Sequence, residues 1–396
     1  MSSGKIYFPG LNGIRCIAVA IVIFFHINHY LTAFNLTPFQ YFEARDEMSR
    51  NGVLLFFVLS GYLITYLLLK EKEVYASIDL KKFYIRRILR IWPIYYTIII
   101  LTVLLLSFQS LYPLLEAEGH SAWHNIKTII LYSFFLPNFG IILQYSLTTI
   151  APLWSVGIEE QFYVTWPILI KKSRLILRSM IWFLVGYMAL KGGAYLYAEI
   201  TGKNRMFDML NLFSFDSLCL GGITAYLYFK QHRILQILYN RYLQAASWLL
   251  LIASLILGPL QLTHVYDKEL YALAFAIIIL NVSTNKKTII NLENQFCNFI
   301  GKISYGLYIY HMIILCLLSL VMKDWTVDNK ALHYIIIFLS VISLSVLVSH
   351  LSYKYFESRF LTIKTRFMKI KSSNQQEEEA DTAPSQQPRH ANTATA

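Results

Sequence analysis

The chain has 396 residues, of which 56% are hydrophobic, 15% aromatic and only 15% charged, and its mean hydropathy is positive. This composition excludes a soluble globular domain and is typical of a polytopic membrane protein. The formal charge of +12 indicates basic cytoplasmic borders of membrane helices, and we expect no binding of nucleic acid.

Apolar segments of about 20 residues, the length needed to cross a bilayer, recur along the whole chain. They predict ten spans, near residues 11–31, 52–69, 92–109, 153–170, 178–197, 208–229, 243–260, 269–283, 303–322 and 333–353. A further apolar piece at 128–142 is broken by Pro137, Asn138 and Gly140, so we expect a re-entrant or interfacial segment there. The predicted fold is therefore an all-α membrane helical bundle.

The basic residues define the predicted topology. With ten spans, both termini and every strongly basic loop fall on one side, which the positive-inside rule identifies as the cytoplasm. These loops are 70–90, 171–178, 230–241, 286–302 and the stretch 354–371. Residues 1–371 form one predicted transmembrane domain. The polar segment 372–396 buries almost nothing, and we expect a disordered cytoplasmic tail there.

The first predicted span carries two ionisable residues, Arg15 and His26. They are eleven residues apart, so they lie on one helix face, about 16 Å apart along the axis. Such residues inside a membrane usually face a protein interior or a cavity. His26 is either a buried histidine bonded to a carbonyl group, with Arg15 reaching the interface, or a catalytic base.

The fourth predicted span supplies carboxylates at the depth of His26, namely Glu159 and Glu160. A carboxylate next to an imidazole can orient it as a general base, although a pair of acids at a helix start is also a structural feature. Adjacent residues point in different directions on a helix, so we expect one of the two to face the site. Trp154 and Tyr163 of the same span are candidates for contact with a sugar, or members of an aromatic belt.

A cluster of arginines, Arg86, Arg87 and Arg90, precedes the third predicted span. Arginine forks bind phosphate oxygens well, and basic clusters also anchor lipid headgroups. In the second span, Ser60 and Gly61 either allow close helix packing or leave room for a thin ligand chain. The four cysteines form no CxxC pair, so we expect packing residues, with no disulfide framework and no metal site.

In combination these features resemble the acyltransferase 3 family of integral membrane acyltransferases, in the type without an appended esterase-like domain. The matching motifs run in order over nearly all of residues 7–360. They are LNGIRCIAVAIVIFFH, GVLLFFVLSGYLIT, FYIRRILRIWPIYY, LWSVGIEEQFYVTWPILI, FDSLCLGG, ISYGLYIYH and SYKYFESRF.

The resemblance implies an O-acyltransferase of a bacterial cytoplasmic membrane that uses acyl-CoA, with acetyl-CoA as the expected donor. The expected acceptor is a hydroxyl group of a glycan or lipid-linked glycan, such as an O-antigen of lipopolysaccharide, a capsule or an exopolysaccharide. His26 matches the catalytic histidine of the family and Arg15 its essential partner. Glu159 and Glu160 are expected in catalysis, and Arg15, Arg86, Arg87 and Arg90 are expected to bind the donor.

Three positions depart from the family pattern. The family often has Asp where this chain has Asn12 and Leu54, and Arg where it has Ser214. Any role of those charges in substrate binding is therefore in question.

Other functions are compatible with the sequence alone. A transporter or flippase for a lipid-linked or anionic solute would use Arg15, Asp216 and His311 as pathway residues. An acyltransferase could act on a small secreted metabolite, and a receptor or scaffold would depend on neither Arg15 nor His26. The acyl group, the acceptor hydroxyl and the oligomeric state are not encoded in any motif.

Overall fold

The computed structural model describes residues 7–39, 47–108, 119–258, 262–322 and 324–368. The regular structure of these residues is helical. The predicted tail at 372–396 lies outside them. The α-helices are α1 (Leu11–His29), α2 (Glu47–Tyr75), α3 (Leu80–Leu106), α4 (Ala122–Ser133), α5 (Pro137–Ile142), α6 (Leu153–Lys172), α7 (Ile176–Thr201), α8 (Arg205–Phe213), α9 (Phe215–Phe229), α10 (Leu235–Leu238), α11 (Arg241–Leu257), α12 (Asp267–Thr284), α13 (Gln295–Met322), α14 (Lys330–Ser352) and α15 (Ser358–Thr365). Two 3-10 helices, Leu31–Phe34 and Thr148–Ile150, and a π-helical turn, Tyr353–Glu357, complete the regular structure of this part.

A helix lies at each of the ten predicted spans. Six helical segments of the described residues are long and apolar enough to cross a membrane: Leu11–His29, Met48–Tyr75, Leu80–Leu106, Arg205–Phe229, Gln295–Met322 and Lys330–Thr365. The other four predicted spans correspond to α6, α7, α11 and α12. The all-helical membrane architecture is thus confirmed, while the count of ten spans and the cytoplasmic termini stay predictions.

The apolar piece at 128–142 is interrupted, as its sequence predicts. It is divided between α4 and α5, and Pro137 occupies the first turn of α5, where its missing N–H costs no helix hydrogen bond. The two helices have 12 and 6 residues, so each is shorter than a membrane span.

One detail of the predicted organisation is wrong. The basic segment 70–90 is almost entirely helical rather than a loop, since only residues 76–79 separate α2 from α3. Asp79 caps α3 by accepting the Lys82 amide, which starts the helix among the charged residues. The predicted span 208–229 lies within the apolar segment Arg205–Phe229, which is divided into α8 and α9 at Ser214, whose φ of 47° is left-handed.

The helices that carry the site pack around α2. It lies against α9 and α1, and α1 in turn packs against α13. A side chain at Gly61 would collide with the backbone of Leu218, and one at Gly221 with the backbone of Val58. These two glycines therefore let α2 and α9 cross closely, which is the packing interpretation of Gly61.

The four cysteines are free thiols. Cys16, Cys219 and Cys316 are buried among apolar side chains, and Cys297 is half-buried. Their role as packing residues is therefore confirmed for the three that are buried.

Candidate active site

His26 forms a direct hydrogen bond with a second histidine, His311 of α13. The Nδ1 atom of His26 lies 2.9 Å from the Nε2 atom of His311. The two ring planes are 14° apart, with centroids separated by 5.1 Å, so the donor N–H and the accepting lone pair lie close to one plane. His311 is completely buried, whereas His26 is half-buried. The arrangement fixes the orientation of the His26 ring.

The surroundings of His311 decide which nitrogen of each neutral ring carries a proton. Its Nδ1 lies 3.2 Å from the carbonyl oxygen of Leu307, which can only accept a hydrogen bond. Nδ1 of neutral His311 is therefore protonated, and its Nε2 accepts from Nδ1–H of His26. The remaining nitrogen of His26, Nε2, then carries an unshared lone pair, which is what a general base or a nucleophile requires.

A cavity of about 210 Å³ is lined by Arg15, Arg87 and Arg90 and also by Tyr308, whose ring centroid lies 6.1 Å from that of His311. We call it the arginine cavity. Among the described residues, its charged lining consists of Arg15, Arg87, Arg90, Lys302 and Glu159, which are four cations and one carboxylate. His26 itself is not among the lining residues.

Arg15 of α1 lines the arginine cavity. It lies on the same face of α1 as His26, as the spacing of the two residues predicts. Its guanidinium donates to the side-chain oxygen of Asn12 at 2.7 Å. Asn12 also lines the cavity, and it stands where the resemblance leads one to expect Asp. The neutral amide thus holds Arg15 in place without cancelling its charge.

The three arginines of α3 differ in their surroundings. All three line a small neighbouring cavity, and Arg87 and Arg90, but not Arg86, also line the arginine cavity. Arg86 donates to the Phe367 carbonyl at 2.9 Å and pairs with Glu71 at 3.3 Å. Arg87 lies 5.5 Å above the Tyr163 ring, and within the described part of the chain its Nε is buried without a hydrogen-bond partner. An anionic ligand would satisfy that donor.

The two glutamates point to different surroundings. Glu159 lines the arginine cavity and accepts from the Tyr163 hydroxyl at 2.7 Å. Tyr163 is also hydrogen-bonded to Ser60, and both residues line the arginine cavity. Glu160 faces α3 and accepts from the Trp92 indole at 3.4 Å. Only one of the pair faces the site, as expected.

The expected contact between a glutamate and His26 is wrong. Glu159 is bonded to Tyr163, Glu160 to Trp92, and the Nδ1 of His26 to His311. Glu159 is therefore held from its own helix, Glu160 from α3 and His26 from α13, and a shared depth selects none of these partners. His311 had a signal in the sequence, since it ends the motif ISYGLYIYH, but no spacing rule linked it to His26.

The two aromatic residues predicted to contact a sugar lie in different cavities. Tyr163 lines the arginine cavity. Trp154 lines a second cavity, together with Leu54 and Ser214, the remaining departures from the family pattern. Ser155 and Tyr308 of the arginine cavity lie in two of the matching motifs and Lys302 ends the basic stretch 286–302, but no feature of the sequence singled them out as cavity residues.

Comparison with known proteins identifies the family of this chain. The profile of an acyltransferase domain, that of acyltransferase 3, matches residues 8–350. The chain belongs to the acyltransferase 3 family. No solved structure matches it significantly.

Relatives of this acyltransferase-family protein include O-acetyltransferases by name. The O-acetyltransferase OatA of Staphylococcus aureus (strain NCTC 8325 / PS 47) is 27% identical over 370 residues. A protein of Staphylococcus aureus (strain COL), named provisionally as an O-acetyltransferase, is 28% identical over 374 residues. Each alignment covers 89% of this chain and 57% of the relative, so the chain spans little more than half the length of these relatives.

Proposed function

We propose that this protein transfers an acetyl group from acetyl-CoA to a hydroxyl group of a cell-surface glycan, such as an O-antigen, capsule or exopolysaccharide unit. The proposed location is a bacterial cytoplasmic membrane, with the arginines facing the cytoplasm. Family membership and the names of the relatives support the reaction class. The observation that carries the proposal is the chain of hydrogen bonds from His26 through His311 to the Leu307 carbonyl, which leaves Nε2 of His26 basic.

The arginine cavity suits the donor. Its surplus of cations attracts a polyanion, and the unsatisfied Nε of Arg87 offers a buried donor for a phosphate oxygen. A volume of about 210 Å³ is small beside ordinary ligand pockets, so the thioester arm enters while the nucleotide stays at the mouth. Arg87 and Arg90 contact the phosphates, and Arg15 guides the arm toward Tyr308.

The proposed step is a direct transfer. Nε2 of His26 removes the proton of the acceptor hydroxyl, whose oxygen attacks the thioester carbonyl carbon. The carbon–sulfur bond breaks as the ester forms, and the CoA thiolate takes the proton from the imidazolium. His311 holds the ring and accepts from the developing cation. The same lone pair would also permit a two-step route through an acetylated imidazole.

Replacement of His26 tests this mechanism. In purified protein, His26→Ala should lower kcat/KM for acetyl-CoA by about 10³-fold or more, because the base is lost. The measurement is release of CoA thiol in the presence of acceptor, with the acetyl ester detected by mass spectrometry. His29→Ala, one turn further along α1 at an exposed position, is the matched control and should stay within about twofold.

Variants of His311 test whether this residue orients the His26 ring or only stabilises the fold. His311→Leu removes the acceptor for Nδ1–H and should cost about 10 to 100-fold in kcat. His311→Gln, which retains an acceptor oxygen, should recover part of that loss at unchanged KM. Full turnover by His26→Ala, with normal membrane insertion, would contradict the catalytic role.

A further inference from the structure

The second cavity lies at the N-terminal end of α6, which the predicted topology places on the outer side of the membrane. Its volume is about 370 Å³, and we call it the outer cavity. It is formed by α2, α8, the start of α6 and of α12, Ser214 before α9, and the loop residues 264 and 265. Its polar and aromatic wall includes Arg50, Trp154, Asp208, Asn211, Lys268 and Tyr271.

The charges of the outer cavity are balanced. Among the described residues that line it, the cations Arg50 and Lys268 face the carboxylates Asp208 and Asp267. Lys268 already donates to the Asn211 carbonyl at 2.8 Å. Asp267 already accepts the backbone amides of residues 262–264 at 2.9 to 3.2 Å. A charged ligand would find no surplus of opposite charge here, so the wall favours a neutral ligand with many hydroxyl groups.

Aromatic side chains supply the apolar part of the wall. Trp154 is half-buried, and its ring meets Phe57 at 90° with centroids 6.1 Å apart. Tyr271 is buried behind the charged residues. A sugar ring has apolar C–H faces and hydroxyl edges, and a wall of aromatic rings with a few polar groups matches both.

The outer cavity is separated from the arginine cavity by a thin layer of side chains. Phe57 lines both cavities. In the first turn of α6, Trp154 faces the outer cavity and the adjacent Ser155 faces the arginine cavity, where it is hydrogen-bonded to Tyr308 at 2.7 Å. A ligand in the outer cavity therefore lies next to the part of the arginine cavity that Ser155 and Tyr308 line.

The geometry points to the outer cavity as the binding site for a neutral sugar residue of the acceptor, with Trp154 against the ring and Asp208 and Arg50 at its hydroxyl groups. The inference rests on the proposed function, because the sugar is bound as the acceptor of the acetyl group. It adds the location and the charge class of that acceptor.

A set of glycosides tests the inference. The full chain in lipid nanodiscs is given acetyl-CoA with methyl β-glucoside, methyl β-glucuronide or methyl β-glucosaminide, which are neutral, acidic and basic. We expect acetylation of the neutral glycoside at the lowest KM. Trp154→Ala should raise that KM at least about tenfold and leave the KM for acetyl-CoA within about twofold. Trp154→Phe, which keeps an aromatic ring, should fall between.

The matched control is Trp123→Ala. Trp123 is a tryptophan of α4 that is 64% exposed and does not line the outer cavity, so this variant should behave as the unchanged protein. Preference for a charged glycoside, equal KM values for Trp154→Ala and Trp123→Ala, or acetylation of none of the glycosides would each overturn the inference. In all three cases acetyl-CoA binding that depends on Arg87 would leave the proposed function intact. Absence of that binding would instead overturn the proposed function.

Discussion

The arginine cavity and the outer cavity share the wall residue Phe57 but differ in their balance of charge. Among the described residues that line the arginine cavity there are four cations and one carboxylate, Glu159, which accepts from Tyr163. In the outer cavity two cations face two carboxylates. Positive charges in excess of the neighbouring carboxylates are stabilised by a bound anion or by water. Cations and carboxylates present in equal number stabilise one another. The comparison distinguishes a cavity for a polyanion from a cavity for a neutral molecule.

A buried pair of opposite charges that lines neither cavity includes Glu269, the residue after Lys268 in the sequence. Lys191 is 1% exposed and pairs with Glu269 at 2.6 Å, and Glu269 lies within hydrogen-bond reach of Asp216. These residues connect α7, α9 and α12. Their burial predicts a structural role, because a buried pair is costly to break.

The largest effect is therefore expected for Lys191→Met, which leaves Glu269 buried without its cation. We expect the free energy of unfolding to fall by about 3 to 5 kcal/mol, measured as a lower thermal midpoint in detergent. Lys191→Met combined with Glu269→Gln should recover at least half of the loss. The exposed Lys81→Met is the control, with a change below about 0.5 kcal/mol. If Lys191→Met were as stable as the unchanged protein, burial of an ion pair would not identify the charges that stabilise the fold.

The next effect concerns the cations of the arginine cavity. Replacing Arg87 and Arg90 together by Gln should raise the KM for acetyl-CoA about 100-fold, because each charge-assisted hydrogen bond to phosphate contributes about 1.5 to 3 kcal/mol. The measurement is initial rate of CoA release against acetyl-CoA concentration, after the membrane level of each variant has been equalised.

Arg86→Gln is the matched control from the same helix turn. Arg86 is engaged by Glu71 and the Phe367 carbonyl, so the KM should change by less than about threefold. An equal loss in both variants would mean that the three arginines act together, as their sequence cluster suggests.

Much of the fold could be predicted because its signals are local. Each apolar segment reports its own helix, and Pro137 reports the break between α4 and α5. The common face of Arg15 and His26 follows from helical periodicity. The helical form of segment 70–90 was missed because charge was taken as evidence of a loop, although long charged side chains are good helix formers.

The contacts of the site could not be predicted because they join distant helices. His26 and His311 are 285 residues apart, and no period links them. Depth alone matched Glu159 with His26, yet this carboxylate is bonded to Tyr163, one turn further along the same helix. The separation of Arg86 from Arg87 likewise depends on where Glu71 of α2 lies. The depth of a side chain in the membrane follows from its position in an apolar segment. The neighbouring helix that the side chain faces is known only from the packed structure.

The smallest effect is expected at a carboxylate whose partners, among the described residues, are hydrogen-bond donors. Glu293, in the loop before α13, accepts from the Tyr7 hydroxyl at 2.6 Å, from the Gly10 amide, and from Asn298 at 2.7 Å. Burial acts to raise the pKa of Glu293, but these hydrogen bonds outweigh it and hold the pKa below the ordinary glutamate value. The folded state therefore favours the ionised form. Its contribution to stability is present above the unfolded pKa and is lost as pH falls through the folded one.

Glu293→Gln should consequently lower the free energy of unfolding by about 1 kcal/mol at pH 7, a modest value because the carboxylate is half-exposed and screened by solvent. Below about pH 4 the difference should shrink, since both side chains are then neutral. Thermal midpoints of the two proteins across this range provide the measurement. A difference that stays constant with pH would show that Glu293 joins the start of α1 to α13 by shape rather than by charge. The charge of Glu293 would then neither bind a ligand nor stabilise the contact between helices, unlike the charges of the arginine cavity and of the Lys191–Glu269 pair.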